Sequence, residues 1–399
     1  MKDGREVCVL GVGMHPWGMF PDKDDAELGI HAIVEALKDA DMSWKDIQFM
    51  GSGVDMWRGA VGMHSGNEIA FRLGERGIPI INVCNACATS VFTMKAVCDQ
   101  IRLGACDIGI AVGAGKSPGG FFPQSPPVTP SPAFPADYVE LSWRIGTAGP
   151  SFWAMYMMRR MKEYGDTEEM LAKVKVEESK GGAVNPYARY RKVFTMEEVL
   201  NSPMVYYPLR LYEICPTSQG AAAVILGSKD IAKRRTTKPI TVAAASIGSP
   251  LFGDSTMRVF TVSVDARETA PYYSEAYVAA RRAFEEAGIG PEEIEIAELP
   301  DNSSWHVLNY LEVDGFCKEG EAGHLLMEGY FDLEGKLPVG VSGGKASFGE
   351  VTTAQGLQQV CDSTLQLRGQ APRQVEGAKT AFCQTYGGWG NNAVAILKK

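Results

Sequence analysis

Cys87 is the residue whose type and placement point most directly to chemistry. It lies in Ile81-Asn82-Val83-Cys84-Asn85-Ala86-Cys87-Ala88-Thr89-Ser90, where an apolar, β-branched run gives way to a helical pattern. A cysteine there stands at a helix start, where unpaired N–H groups and the positive end of the dipole favour an anion. A thiolate is such an anion, and helix starts lower thiol pKa values. The placement predicts a nucleophile. The competing reading is a small buried hydrophobe, one of nine cysteines in the chain. Cys84 and Cys87 also form a C-x-x-C pair. A zinc or redox role would call for a second such pair or two nearby histidines, and neither stands beside it in the sequence. No metal site is expected.

The elements that must position Cys87 follow from periodicity. Residues 78–83 read as a buried strand. From Ala88 the spacing of Val91, Met94, Val97, Cys98 and Ile101 gives a helix with one apolar face, and Gly104 stops it. Residues 107–113 are a second buried strand. Before this unit come a strand at 6–13, an amphipathic helix at 26–42, a strand at 49–54 and a short helix at 68–73. After it come helices within 148–182 and at 196–200, then strands at 220–228 and 240–247. A second series follows: helix 274–287, strand 294–299, a glycine-rich turn at Gly343-Gly344, helix 353–367 and strands at 380–384 and 391–397. Strands alternating with helices predict an α/β layer fold with a mostly parallel sheet. Residues 115–147 interrupt the pattern. Seven prolines from Pro118 to Pro135 exclude helix and central strand. Phe121, Phe122, Phe134 and Tyr138 in the same stretch predict an ordered excursion over a cleft or subunit contact, against the alternative of a solvated linker.

The chain has 399 residues, 45% of them hydrophobic and 22% charged, with a net charge of −9. That length suits two α/β units. The scattered basic residues and the negative balance argue against nucleic acid and against an anionic membrane surface. No apolar run approaches a membrane span, and MKDGREVCVLGVGM has no signal-peptide pattern. Irregularly spaced cysteines read as reduced thiols, so a cytoplasmic protein is expected.

An internal repeat supports two units. AVCDQIRLG at 96–104 resembles QVCDSTLQLRG at 359–369, and GAAAVILGS at 220–228 resembles NNAVAILKK at 391–399. We expect one half from 1–114 and 215–250, an insertion at 115–214, and the other half from 251–399. A site on such halves lies between them, where helix 88–103 meets helix 353–367.

Four segments carry a resemblance to a known family. NACATS around Cys87, the stretch 185–226 ending in ICPTSQGAAAVIL, GGKASFGEVTTAQG at 343–356 and QTYGGWGNNAVAIL at 384–397 are similar to the thiolase superfamily, in its sterol-carrier and archaeal acetyl-CoA acetyltransferase branch. The resemblance covers nearly the whole chain. It implies a thiolase-like fold: two pseudo-twofold α/β halves in αβαβα layers, with an insertion in the first. It implies acyl transfer between thioesters through an acyl-cysteine, with coenzyme A and acyl-CoA as substrates and no permanently bound cofactor. A thiolate suits this, being a strong nucleophile that makes transferable thioesters. Developing oxyanions need fixed donors; by position these are the backbone N–H groups of Cys87 and of Tyr386 or Gly387. Gly343, Gly344 and Ser347 fall where CoA contacts are expected. A homodimer and a small zinc-ribbon/OB-fold partner subunit are also implied.

The chain departs from the family at three places. The base histidine falls on Glu350, the oxyanion-hole histidine or asparagine on Pro300, and the second cysteine on Gln384. Glu350 is thus a candidate base if burial raises its pKa, against the plain reading of a solvated helix-start glutamate. Asn302, Asp301 or His306 are candidates for the lost oxyanion donor. Tyr386, with Trp389, is a candidate pocket wall or acid/base group, and Phe152 and Trp153 are candidate pocket or core residues. The expected activity is a CoA-dependent thiolase, with a bulky or aromatic acyl group such as that of benzoylsuccinyl-CoA. The alternatives are a thiolase-like retro-aldolase on a branched β-hydroxyacyl-CoA and a non-catalytic subunit.

Overall fold

The structure, a computed structural model, describes residues 5–118, 149–234, 239–249, 275–387 and 391–399. The proline- and phenylalanine-rich excursion falls almost wholly outside the described residues, as does Trp389. The strands are β1 (Val7–Gly18), β2 (Phe49–Gly53), β3 (Ile80–Val83), β4 (Ile108–Lys116), β5 (Met204–Tyr206), β6 (Leu209–Arg210), β7 (Gln219–Ser228), β8 (Ile240–Gly248), β9 (Ile296–Glu298), β10 (Thr380–Tyr386) and β11 (Asn392–Lys398). Apart from the small β5–β6 pair, they form one sheet in the order β3-β2-β4-β7-β1-β8-β11-β10-β9.

That order is two copies of one pattern back to back. Outward from the centre, the first half runs β1-β7-β4-β2-β3. The second runs β8-β11-β10-β9, and a parallel bridge from Ala297 to Val339 continues it where β3 lies in the first. The halves join through a short antiparallel contact of Cys8 with Thr241 and Val9 with Ile240. The expectation of a mostly parallel sheet is corrected: β2 pairs in parallel with β3 and β4, and β9 with β10, whereas β1, β7, β8 and β11 pair antiparallel. The physical reason is that strands buried on both faces read as continuous apolar runs whichever way they point.

Alternation along the strands builds the layers. In β7, Ala222, Val224 and Leu226 face the central core, while Ala221, Ala223 and Ile225 face the outer layer holding helix Asp25–Asp39. In β11, Ala393, Ala395 and Leu397 face the same central core, and Val394 and Ile396 face the opposite outer layer with helix Glu275–Ala287. The central core holds helices Thr89–Arg102 and Gln355–Arg368. The result is the expected αβαβα stack. Gly11 and Gly13 let the first outer helix press on β1; a Cβ at either would stand 2.4 Å from Ala36 O or 2.3 Å from Ala32 O.

The two middle helices are tied start to start. Ser90 Oγ accepts from Gly356 N at 2.9 Å and Leu357 N at 3.1 Å, and Gln355 Nε2 donates to Cys87 O at 3.1 Å. Each helix thus satisfies polar groups at the other's beginning, which would otherwise be orphaned in the core. Among the described residues, no helix is long and apolar enough to cross a membrane.

Candidate active site

Cys87 sits in a short 3-10 turn, Ala86–Ala88, that leads from β3 into helix Thr89–Arg102. The chain makes this turn with Ala86 in the left-handed region at φ 46°. Asn85 N donates to Thr89 Oγ1 at 2.7 Å and Ala88 N to Asn85 O at 3.2 Å, which fixes the turn from both ends. The Cys87 side chain is buried.

Glu350 arrives from the other half. It follows helix Gly344–Phe348 and Gly349, whose φ is 88° and whose Cβ, if present, would stand 2.7 Å from Pro216 O. Only glycine suits that position. Beyond it, Glu350 N donates to Pro216 O at 2.6 Å and Ser218 N to Glu350 O at 3.0 Å. With its backbone pinned, the side chain places Oε1 2.7 Å from Cys87 Sγ. Oε2 receives Asn302 Nδ2 and stands 3.7 Å from Cys215 Sγ. The plain reading of Glu350 as a solvated glutamate is excluded, since it is 3% exposed.

The electrostatics reverse one expectation. Cys87 is pushed well above the usual thiol range, first by burial and then by the Glu350 charge and hydrogen bond. A helix start is worth about 0.3–1 kcal/mol to an anion, whereas full burial moves a pKa by up to roughly 3–5 units at about 1.4 kcal/mol each. Burial wins, and the resting pair is a Cys87 thiol donating to a Glu350 carboxylate. Burial also raises Glu350, with the Cys87 thiol and the Lys345 charge pulling the other way. The result is a carboxylate more basic than one in water.

Around this pair stand Asn302, Cys215, Lys345 and Tyr386. Asn302 is fully buried, and its Oδ1 has no hydrogen-bond partner among the described residues. Cys215 N donates to Asn302 O at 3.0 Å. Sequence reasoning missed Cys215. The signal was there, in the cysteine of ICPTSQG just before a buried strand. It missed Lys345 too, a 1% exposed lysine whose Nζ lies 3.9 Å from Asp301 Oδ1. Asp301 Oδ2 is occupied by Ala346 N at 2.7 Å, so it braces the turn carrying Lys345. Tyr386 stacks on His306 at 4.9 Å, and its phenol is pushed up, first by burial and then by the neighbouring Cys87–Glu350 pair, so it stays protonated.

Other candidates are placed elsewhere. His306 accepts from Ser303 N at 3.0 Å and is pushed down to about 3 by burial, so it is a neutral helix-capping ring. Trp153 packs edge-on against that ring at 4.7 Å, which makes it core; Phe152 packs against the same cluster. Gln384 Nε2 donates to Asp314 Oδ1 at 2.9 Å, so its side chain serves Asp314. Gly387 N is taken by Asn391 O at 2.6 Å, just past the end of β10. Gly343, Gly344 and Ser347 are buried against helix Glu168–Val184 and Asp301: a Cβ at Gly343 would stand 2.5 Å from Gly182 N, and one at Gly344 2.3 Å from Asp301 Oδ2. Cys84 is exposed while Cys87 is buried.

The thiolase C-terminal domain-like family matches residues 259–399, and the beta-ketoacyl synthase N-terminal domain family matches 27–119. Across 98% of its length the chain is 33% identical to an acetyl-CoA acetyltransferase of Methanothermobacter thermautotrophicus, covering 99% of that protein. The chain belongs to the thiolase family. It is also 32% identical to the benzoylsuccinyl-CoA thiolase subunit BbsB of Thauera aromatica, over 94% of this thiolase and 93% of that subunit. Among solved structures, the Ltp2-ChsH2(DUF35) aldolase superposes with a TM-score of 0.80 at 22% identity, covering 98% of this chain and 97% of that one. Human mitochondrial 3-ketoacyl-CoA thiolase gives 0.72 at 14%, covering 99% of each chain. These two show the same fold. As a member of its family, the protein is an acyltransferase.

Proposed function

We propose that this thiolase is CoA-dependent and cleaves or forms a 3-oxoacyl-CoA through an acyl-Cys87 thioester. The observation that carries the reading is the Cys87 thiol at 2.7 Å from the buried Glu350 carboxylate. In cleavage, Glu350 takes the Cys87 proton and the thiolate adds to the keto carbon. The oxyanion collapses, the bond between C2 and C3 breaks, and the electron pair left on C2 takes up a proton. Free CoA then removes the acyl group from Cys87. Glu350 in the histidine's place keeps the pair's net charge at −1 before and after the first proton transfer. The Cys87 N–H remains our candidate oxyanion donor, with the protonated Tyr386 phenol beside it. Likeness to the benzoylsuccinyl-CoA thiolase subunit supports an aromatic acyl group. That relative is a subunit, and the aldolase is named with a DUF35 protein, which supports a small partner subunit here. The β3 end of the sheet, with Phe71 and Met63 exposed nearby, supports a second copy of this chain as neighbour.

A second reading, retro-aldol cleavage of a branched β-hydroxyacyl-CoA, draws on Glu350 replacing histidine and on the un-ionised Tyr386. Intact-mass spectrometry separates the two. On mixing with acetyl-, succinyl- and benzoyl-CoA, the first reading expects a mass gain equal to the acyl group, absent from Cys87→Ala and reversed by free CoA. An unmodified wild type, or an adduct that persists in Cys87→Ala, sinks it.

A further inference from the structure

Cleavage of a 3-oxoacyl thioester moves protons at two places: one leaves the attacking thiol and one arrives at C2 of the departing acyl-CoA. Cys87 and Glu350 account for the first. The second falls to a group that the sequence did not single out. We propose that Cys215 is the acid that protonates C2, and the base that removes that proton in condensation, with Glu350 passing the proton between it and Cys87. The proposal rests on the acyl-Cys87 reading above.

The geometry is that of one carboxylate between two sulfurs. Glu350 Oε1 faces Cys87 Sγ at 2.7 Å, and Oε2 faces Cys215 Sγ at 3.7 Å. Cys215 is held there by the two segments that carry its neighbours: Ile214 bridges to Ser303 next to Asn302, and Thr217 bridges to Glu350. Asn302 Nδ2 stands 3.8 Å from Cys215 Sγ, a donor for the thiolate that forms in the reaction. The orphaned Asn302 Oδ1 points to a donor not yet present, since a buried acceptor without a partner costs free energy. Cys98, Cys361 and Cys383 are also buried, but they pack in the apolar central core. Cys215 instead sits among polar groups, where a buried thiol does more than fill space.

The protons balance. The Cys87 S–H bond breaks and an O–H bond forms on Glu350. The thiolate adds to C3; as C2–C3 breaks, its electron pair stays on C2 and takes the proton of Cys215. Rotation of the neutral Glu350 carboxyl about its last torsion, which is soft, then delivers its proton to the Cys215 thiolate. The site ends with a carboxylate, a thiol at Cys215 and acyl-Cys87.

The test is hydrogen–deuterium exchange at C2 of acetyl-, propionyl- and succinyl-CoA in D2O, run beside Cys87 acylation on the same protein. Cys215→Ala is expected to lower exchange by about 100-fold or more, the usual worth of a placed acid–base group. Acylation of Cys87 is expected to fall by less than about tenfold. Cys215→Ser restores the volume and the hydrogen bond but not the acidity, so exchange stays low. Exchange unchanged in Cys215→Ala, exchange restored by Cys215→Ser, equal loss of exchange and acylation, or no exchange in a wild type that does acylate Cys87 each overturn the proposal. A wild type that never acylates Cys87 overturns the underlying thiolase reading instead.

Discussion

The two halves share strand order, strand direction and a middle helix, yet contribute opposite chemical partners. In the first half the link from β3 to its middle helix is five residues, 84–88, and places Cys87, the proposed nucleophile, at the helix start. In the second, the link from Val339 to helix Gln355–Arg368 is three times as long. It holds the short helix Gly344–Phe348, four glycines with left-handed φ, Lys345 and Glu350. The scaffold repeats and the connections do not. Function lives in the links, because the strands and helices are committed to packing.

Substitutions on either side test this division of labour. The largest effect is expected for Cys87→Ala, with CoA-dependent cleavage falling on the order of 10⁴-fold or more, read as acyl-CoA release. Next is Glu350→Gln, with a loss of about 10²–10⁴-fold. The same change removes the negative charge that raises Cys87, so alkylation of Cys87 by iodoacetamide moves to lower pH while turnover collapses. If both rates stay level, Glu350 is not the base and the comparison fails.

Ser90→Ala tests the tie between the halves. Leaving the N–H groups of Gly356 and Leu357 without their acceptor is expected to cost about 1–3 kcal/mol, read by urea unfolding. The smallest effect is expected for Lys345→Met. Its positive charge lowers Glu350, so its removal raises Glu350 further. A base must be ionised, so the acid limb of kcat/KM moves to higher pH and activity returns as the pH rises. An acid limb that stays put would show that Lys345 serves only the fold.

Most of the scaffold was legible because its signals are local. The helix 89–102 follows from Val91, Met94, Val97 and Ile101, and the repeat of Val97-Cys98-Asp99 in Val360-Cys361-Asp362 marks equivalent middle helices. Strand direction was not legible in β7 and β11, which are apolar on both faces. At the proposed site, Cys87 and Glu350 were singled out from the motifs around them and Asn302 from its donor chemistry, and the structure brings the three together. Cys215 and Lys345 were not, since their partners are set by tertiary pairing, of residues 215–218 with 302 and 350 for the first and of the 345–346 turn with Asp301 for the second. Gln384 misled because a shared position in a motif does not fix where a side chain points; a buried Asp314 claims it. The pKa of Cys87 misled because helix position is written in sequence, whereas desolvation by a distant segment is not.

The span between Cys87 and its carboxylate, 263 residues, has a consequence for the chain as it is made. At the usual pace of about 5–20 residues per second, Cys87 is synthesised on the order of 10–50 seconds before Glu350. Through that interval the cysteine lacks the carboxylate proposed as its base. The Cys87–Glu350 pair therefore exists only once the second half has closed over the first, and until then Cys87 has the reactivity of an ordinary thiol.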